Sequence, residues 1–110
     1  MNYNGLCITT GNARRLAEFY KIIFQEEPLV EGSRYGFNII SIWNLGELKT
    51  KKNKKIWLQL FTSNVEGLYE RVLRDIPDIQ IISPLERKPW GEYSFWFSDP
   101  DGNKIAFAQI

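Results

Sequence analysis

Apolar and polar positions follow two different periods along this chain, and the change from one period to the other happens twice. Leu16, Phe19, Tyr20 and Ile23 fall at i, i+3, i+4 and i+7, one face of a helix, and Asn12 stands where an N-cap side chain is needed. Val65, Leu68, Tyr69 and Val72 repeat that template behind Asn64. Each helix follows a β-type run, Leu6 to Thr10 and Ile56 to Phe61. Further strands are predicted at Pro28 to Ser33, Tyr35 to Ile42 and Trp43 to Leu48 after the first helix, and at Ile79 to Ile82, Tyr93 to Phe97 and Lys104 to Gln109 after the second. Pro77 and Pro84 are expected to end segments, because proline neither extends a helix nor donates within a ladder. Asp99-Pro100-Asp101-Gly102-Asn103 reads as a tight hairpin, with proline presetting the turn and Gly102 free to take positive φ.

The two halves also share residues. Thr10, Asn12, Leu16 and Glu18 recur 52 positions later as Thr62, Asn64, Leu68 and Glu70. The pattern predicts an α+β fold in one domain, residues 1–110, made of two βαβββ modules at about 1–50 and 55–110. The expected assembly is a curved, mixed, eight-stranded sheet with both helices on one face and a concave cleft on the other. Strand alternation turns Ile56, Leu58, Leu60, Phe95, Phe97, Ile105 and Phe107 toward the helices. It turns Trp57, Gln59, Phe61, Trp96, Lys104, Ala106 and Ala108 into the cleft, with Gly5, Cys7 and Thr9 on the first strand.

Composition narrows the function. A chain that is 44% hydrophobic and 25% charged is globular rather than disordered. Fourteen basic against thirteen acidic residues leave a net charge of +1, which excludes a dedicated nucleic-acid binder. No apolar run reaches the roughly 18 residues of a membrane span, and the N-terminus lacks a signal-peptide layout. One cysteine, Cys7, suits a reducing compartment, so a cytoplasmic location is expected. The chain has no histidine, which removes the Ser-His-Asp triad, the Cys-His pair and every His-containing metal site.

The run Pro89-Trp90-Gly91-Glu92, followed by Phe95-Trp96-Phe97-Ser98-Asp99-Pro100-Asp101-Gly102-Asn103, resembles the C-terminal signature of the glyoxalase / bleomycin-resistance / extradiol dioxygenase superfamily, also called vicinal oxygen chelate. Ala17-Glu18-Phe19-Tyr20 is similar to its first helix, and the duplicated βαβββ plan to its architecture. Enzymes of that superfamily hold a divalent metal with His and Glu. By the resemblance, the ligand positions fall at Gly5, Trp57 and Ala106, with Glu47 the only carboxylate on the strand closing the first half. Gly, Trp and Ala side chains cannot coordinate a metal. The resemblance therefore points to the non-metal, bleomycin-resistance branch: small homodimers that sequester a drug in aromatic-lined clefts and carry out no reaction.

The expected function is a metal-independent, cofactor-free protein that binds an aromatic or amphipathic small molecule as a homodimer. Trp57 and Trp96 are the leading ligand contacts, with Gln59, Phe61, Trp43, Trp90 and Lys104 beside them. Two alternatives stay open: a lyase, isomerase or dioxygenase relative with an unconventional metal site around Glu47, Gln59 and another carboxylate, and a structural or regulatory dimer without a ligand. Cys7 is read as a buried, inert thiol. Glu47, Glu86 and Glu92 are read as solvated charges that would suit a cationic ligand if they faced one. Lys104 is placed at the cleft, where it would snorkel or meet an anion. Lys49, Lys51, Lys52, Lys54 and Lys55 read as a solvated loop joining the halves.

Overall fold

Asn12 and Asn64 begin the two helices by the same device. The backbone N–H of Asn12 donates to Thr10 Oγ1 at 3.1 Å, and that of Asn64 to Thr62 Oγ1 at 3.4 Å. Each Asn side chain then accepts from the third helical N–H, Arg15 or Gly67, at 3.1 Å. The repeated Thr and Asn are thus the residues that turn a strand into a helix, by supplying acceptors to N–H groups that have no helical partner.

The computed structural model describes residues 6–44 and 56–110. The chain divides into two compact units, Met1–Lys54 and Lys55–Ile110. The first holds β1 (Leu6–Thr10), α1 (Ala13–Phe24), β2 (Leu29–Glu31), β3 (Arg34–Gly36) and β4 (Ile40–Asn44). The second holds β5 (Trp57–Thr62), α2 (Val65–Asp75), β6 (Gln80–Arg87), β7 (Tyr93–Ser98) and β8 (Lys104–Gln109). The eight strands lie in two four-stranded sheets, one per unit, ordered β1-β4-β3-β2 and β5-β8-β7-β6. In each, the first strand pairs in parallel with the last and the remaining pairings are antiparallel. The two βαβββ modules of the expected α+β fold are both present.

Helix α1 buries Leu16, Phe19, Tyr20 and Ile23 with Ile8, Ile40 and Ile42. Tyr20 meets Phe19 edge-on at 5.3 Å and stacks on Phe24 at 5.5 Å. In the second unit Phe95, Phe97 and Phe107 form a stacked trio with centroids 5.8–6.2 Å apart, and Tyr69 of α2 packs on Phe95 at 4.8 Å. Gln109 closes the end of β8 on α2: its Oε1 accepts from Val65 N–H at 3.0 Å and its Nε2 donates to the Ser63 carbonyl at 2.7 Å.

Four expectations need correction. Tyr35 to Ile42 is two strands, because Phe37 N–H turns back to the Ile40 carbonyl at 2.8 Å and the Glu26 carboxylate accepts from Asn38 N–H at 3.0 Å. Trp43 and Asn44 belong to β4, and residues 45–48 of the expected strand, Glu47 among them, lie outside the described residues, as do Gly5 and the lysines from Lys49 to Lys55. Pro84 does not end a segment: β6 runs through it at the sheet edge, where the pairing with β7 shifts register between Ser83 and Glu86. A bulged edge needs no N–H from that residue. Cys7 is exposed, since alternation on β1 buries Ile8 and Thr10 and turns the thiol outward.

The hairpin at Asp99 is a closed network. Asp99, 3% exposed, accepts from Asp101 N–H and Asn103 N–H through Oδ1 and from Asn103 Nδ2 through Oδ2, each at 2.9 Å. Gly102 takes φ +88°, the left-handed region this turn requires. Replacing Asp99 with Ala strands several buried donors and is expected to cost about 3 kcal/mol. Asn12→Ala or Asn64→Ala each removes one cap, at about 1 kcal/mol. Urea denaturation checks both values, and an Asp99→Ala loss no greater than a cap loss would show the network to be dispensable.

Candidate functional site

The outer face of the second sheet is set by alternation on three strands. On β5 the odd positions Trp57, Gln59 and Phe61 face outward and are exposed, while Leu58 and Leu60 are half-buried. On β7, Phe95 and Phe97 go to the core beneath α2, leaving Ser94 and Trp96 on the outer side. On β8, Ala106 pairs with Gln59 on one side and Trp96 on the other. A methyl flanked by larger groups makes a depression. Ala106 and Ala108 are consequently buried although they lie on the outer face.

A pocket of about 310 Å³ opens there, lined by Trp57, Leu58, Gln59, Trp90, Glu92, Trp96 and Ala106. Trp96 is its centre. Trp57 meets it edge-to-face at 5.3 Å and 88°, and Trp90 lies tilted against it at 6.1 Å. Trp57 and Trp90 remain 60% and 63% exposed, unusually open for indoles. The Trp96 indole N–H is buried and meets no acceptor among the described residues.

Two cations brace the rings. Lys104 Nζ lies 4.8 Å over the Trp57 ring and Lys88 Nζ lies 5.7 Å over Trp96, both within cation–π range. Lys88 is buried: Nζ donates to Ser83 Oγ and to the Pro84 carbonyl at 3.1 Å, and pairs with Glu86 Oε1 at 3.5 Å. Its ammonium thereby satisfies the bulge that carries Pro84. Glu92 closes the wall between Trp90 and the sheet, accepting from Gln59 Nε2 and from Ser94 Oγ, the latter at 2.6 Å. On the opposite face Tyr93 donates to Glu66 Oε1 at 3.1 Å, and its pKa is raised by lost solvation first and by that hydrogen bond second.

Of the residues singled out from sequence, Trp57, Gln59, Trp90 and Trp96 line one pocket, and Lys104 sits on the Trp57 ring. Phe61 shares their face of β5, is 62% exposed and does not line the pocket. Trp43 belongs to the first unit, where Arg34 lies 4.6 Å over its ring and its Nε1 donates to Ser41 Oγ at 3.1 Å. Glu92 was expected to be a solvated charge and is instead part of the wall. Only its place two residues after Trp90, across a turn, signalled that in the sequence. Lys88 carried no signal, because its burial depends on a bulge that alternation does not reveal.

The pocket's donor set does not fit a transition metal. Two positions that the resemblance assigns to metal ligands present the Trp57 indole and the Ala106 methyl, neither of which has an electron pair to give. Among the described residues no three His, Cys, Asp or Glu side chains come together as a metal-holding group. What the pocket offers is aromatic area, one carboxylate and one amide.

No family profile matches the chain's sequence. Solved structures do match its fold. TioX from Micromonospora sp. ML1 superposes with a TM-score of 0.78 at 15% identity, over 98% of this chain and 98% of that one. A member of the glyoxalase/bleomycin resistance protein/dioxygenase superfamily from Sphaerobacter thermophilus DSM 20745 gives 0.75 at 17% identity, covering 100% and 98%. A lactoylglutathione lyase from Agrobacterium tumefaciens gives 0.72 at 14%, covering 96% and 91%. The chain has the fold of the glyoxalase/bleomycin resistance/dioxygenase superfamily.

Proposed function

We propose that this chain is a metal-independent small-molecule binding protein of the bleomycin-resistance type, which holds an aromatic or amphipathic ligand in the tryptophan-lined pocket of its second module. The observation that carries this reading is the clustering of Trp57, Trp90 and Trp96 around one depression with two of the three rings largely exposed. Indoles that served only the core would be covered. These instead offer flat apolar area at little entropic cost, the property of a stacking site. Among the described residues that line it, the pocket has no paired acid and base, no activated nucleophile and no metal-ligand set, which favours binding over turnover. The protein acts as a homodimer in this reading, since exposed aromatic area of this kind is commonly covered by a twofold partner. No described helix is long and apolar enough to cross a membrane.

Replacing Trp57 or Trp96 with Ala is expected to weaken binding of planar aromatic compounds by roughly 1–3 kcal/mol, or about 5- to 150-fold, measured by quenching of tryptophan fluorescence. Thermal melts of the same variants should shift less than those of Phe97→Ala, which opens a cavity under α2. Variants that bind normally and melt early would make the tryptophans structural.

Elemental analysis of the purified protein is expected to find no stoichiometric Zn, Ni, Fe or Mn. One tightly held transition metal per chain would overturn the metal-independent reading. Sedimentation at micromolar concentration is expected to give a dimer, and a monomer under those conditions would remove the assembly from the proposal.

A further inference from the structure

Three indoles line the pocket, and they differ in what lies over them. Lys104 covers Trp57 and Lys88 covers Trp96, while among the described residues no Lys or Arg lies over Trp90. Two residues along, past Gly91 at φ +102°, Glu92 lines the same pocket. Its hydrogen-bond partners are a neutral amide and a neutral hydroxyl, from Gln59 and Ser94. Among the described residues no Lys or Arg nitrogen comes within ion-pair distance of it. A carboxylate held by two neutral donors is oriented, yet it has lone pairs to spare, and no Lys or Arg among the described residues pairs with it.

Resting on the reading of this pocket as an aromatic binding site, we propose that Trp90 and Glu92 form a cation subsite. The ligand is then a flat aromatic that carries an ammonium, amidinium or ring-cationic group. Its ring system stacks on one of the two perpendicular indoles, Trp57 or Trp96, and meets the other edge-on, and its charge lies between the Trp90 face and the Glu92 carboxylate. The two contacts reinforce each other, because an indole face attracts a cation electrostatically and the carboxylate supplies the missing opposite charge. The turn keeps both groups in place: Gly91 N–H donates to the Lys88 carbonyl at 2.8 Å, Lys88 N–H to the Glu92 carbonyl at 2.7 Å, and Arg87 Nη1 to the Gly91 carbonyl at 2.7 Å. The opposite assignment, an anionic ligand held by Lys104, is less favoured because that ammonium is already engaged over Trp57 and the charged side chain among the lining residues is Glu92.

Three probes with one ring system and different charge test this: N-methylacridinium, acridine at about pH 8 where it is neutral, and acridine-9-carboxylate. Their dissociation constants are measured by calorimetry on the full chain. The wild-type protein is expected to bind N-methylacridinium about tenfold more tightly than acridine, and the carboxylate most weakly. The cation-to-neutral ratio, taken within each variant so that any loss of folded protein cancels, should fall toward one in Glu92→Gln and fall in part in Trp90→Leu. Acridine bound as tightly as its cation, a ratio unchanged by Glu92→Gln, or a preference for the carboxylate lost in Lys104→Met would each overturn the cation subsite while leaving an aromatic pocket standing. Absence of binding by all three would overturn the pocket reading and the subsite with it.

Discussion

The second module depends on a side chain in the turn between its last two strands. Asn103, 3% exposed, is gripped by Asp99, and its own Oδ1 accepts from the backbone N–H of Ile56 at 3.1 Å. The Lys104 N–H donates to the Ile56 carbonyl at 2.9 Å. Together these fix the entry of β5 onto β8, and the parallel register Trp57↔Lys104 and Gln59↔Ala106 follows from that start. A slip of one residue would turn Trp57 and Gln59 toward the core and Leu58 and Leu60 outward. The buried Asp99 network therefore specifies the pocket as well as the hairpin, although it does not line that pocket.

Given that register, residue size at a few positions decides what the outer face can do. Ala106 is small where its cross-strand neighbours Gln59 and Trp96 are large, so the sheet has a floor at that point and walls on either side. The same alternation that opens this face fills the other with Phe95, Phe97 and Phe107 beneath α2. The buried core is concentrated on one side of the sheet and exposed aromatic area on the other. The division explains why indoles can stay exposed without weakening the module, since the phenylalanine face supplies the burial that holds it together.

Most of the fold was legible because it rests on periodicity and on short-range hydrogen bonds. The Thr and Asn that recur 52 residues apart announce two strand-to-helix junctions, and both junctions have the same geometry. Alternation also indicated which residues of β5 and β7 share the outer face. What escaped the sequence were features set by contacts between distant groups. Pro84 sits within a strand only because β6 is a bulged edge, and the break between β3 and β4 depends on Glu26 reaching Asn38 from the end of α1. Glu92 joins the wall because Gln59 of β5 and Ser94 of β7 converge on it. Neither the bulge nor that convergence has a local sequence pattern.

The pocket's character follows from the same substitution of bulk for donors. At Trp57 and Ala106, where the resemblance places metal ligands, the chain puts its largest side chain on an edge strand and a methyl on the strand beside it. Either change alone would remove a ligand. Together they also create shape, with a flat wall against a shallow floor and Trp96 rising from the next strand to meet the wall edge-on. A metal site needs convergent lone pairs, whereas a stacking site needs flat area with a few fixed polar groups. Trp57 and Ala106 offer no lone pair at those two positions and at the same time shape the pocket's wall and floor, so both features have one structural cause.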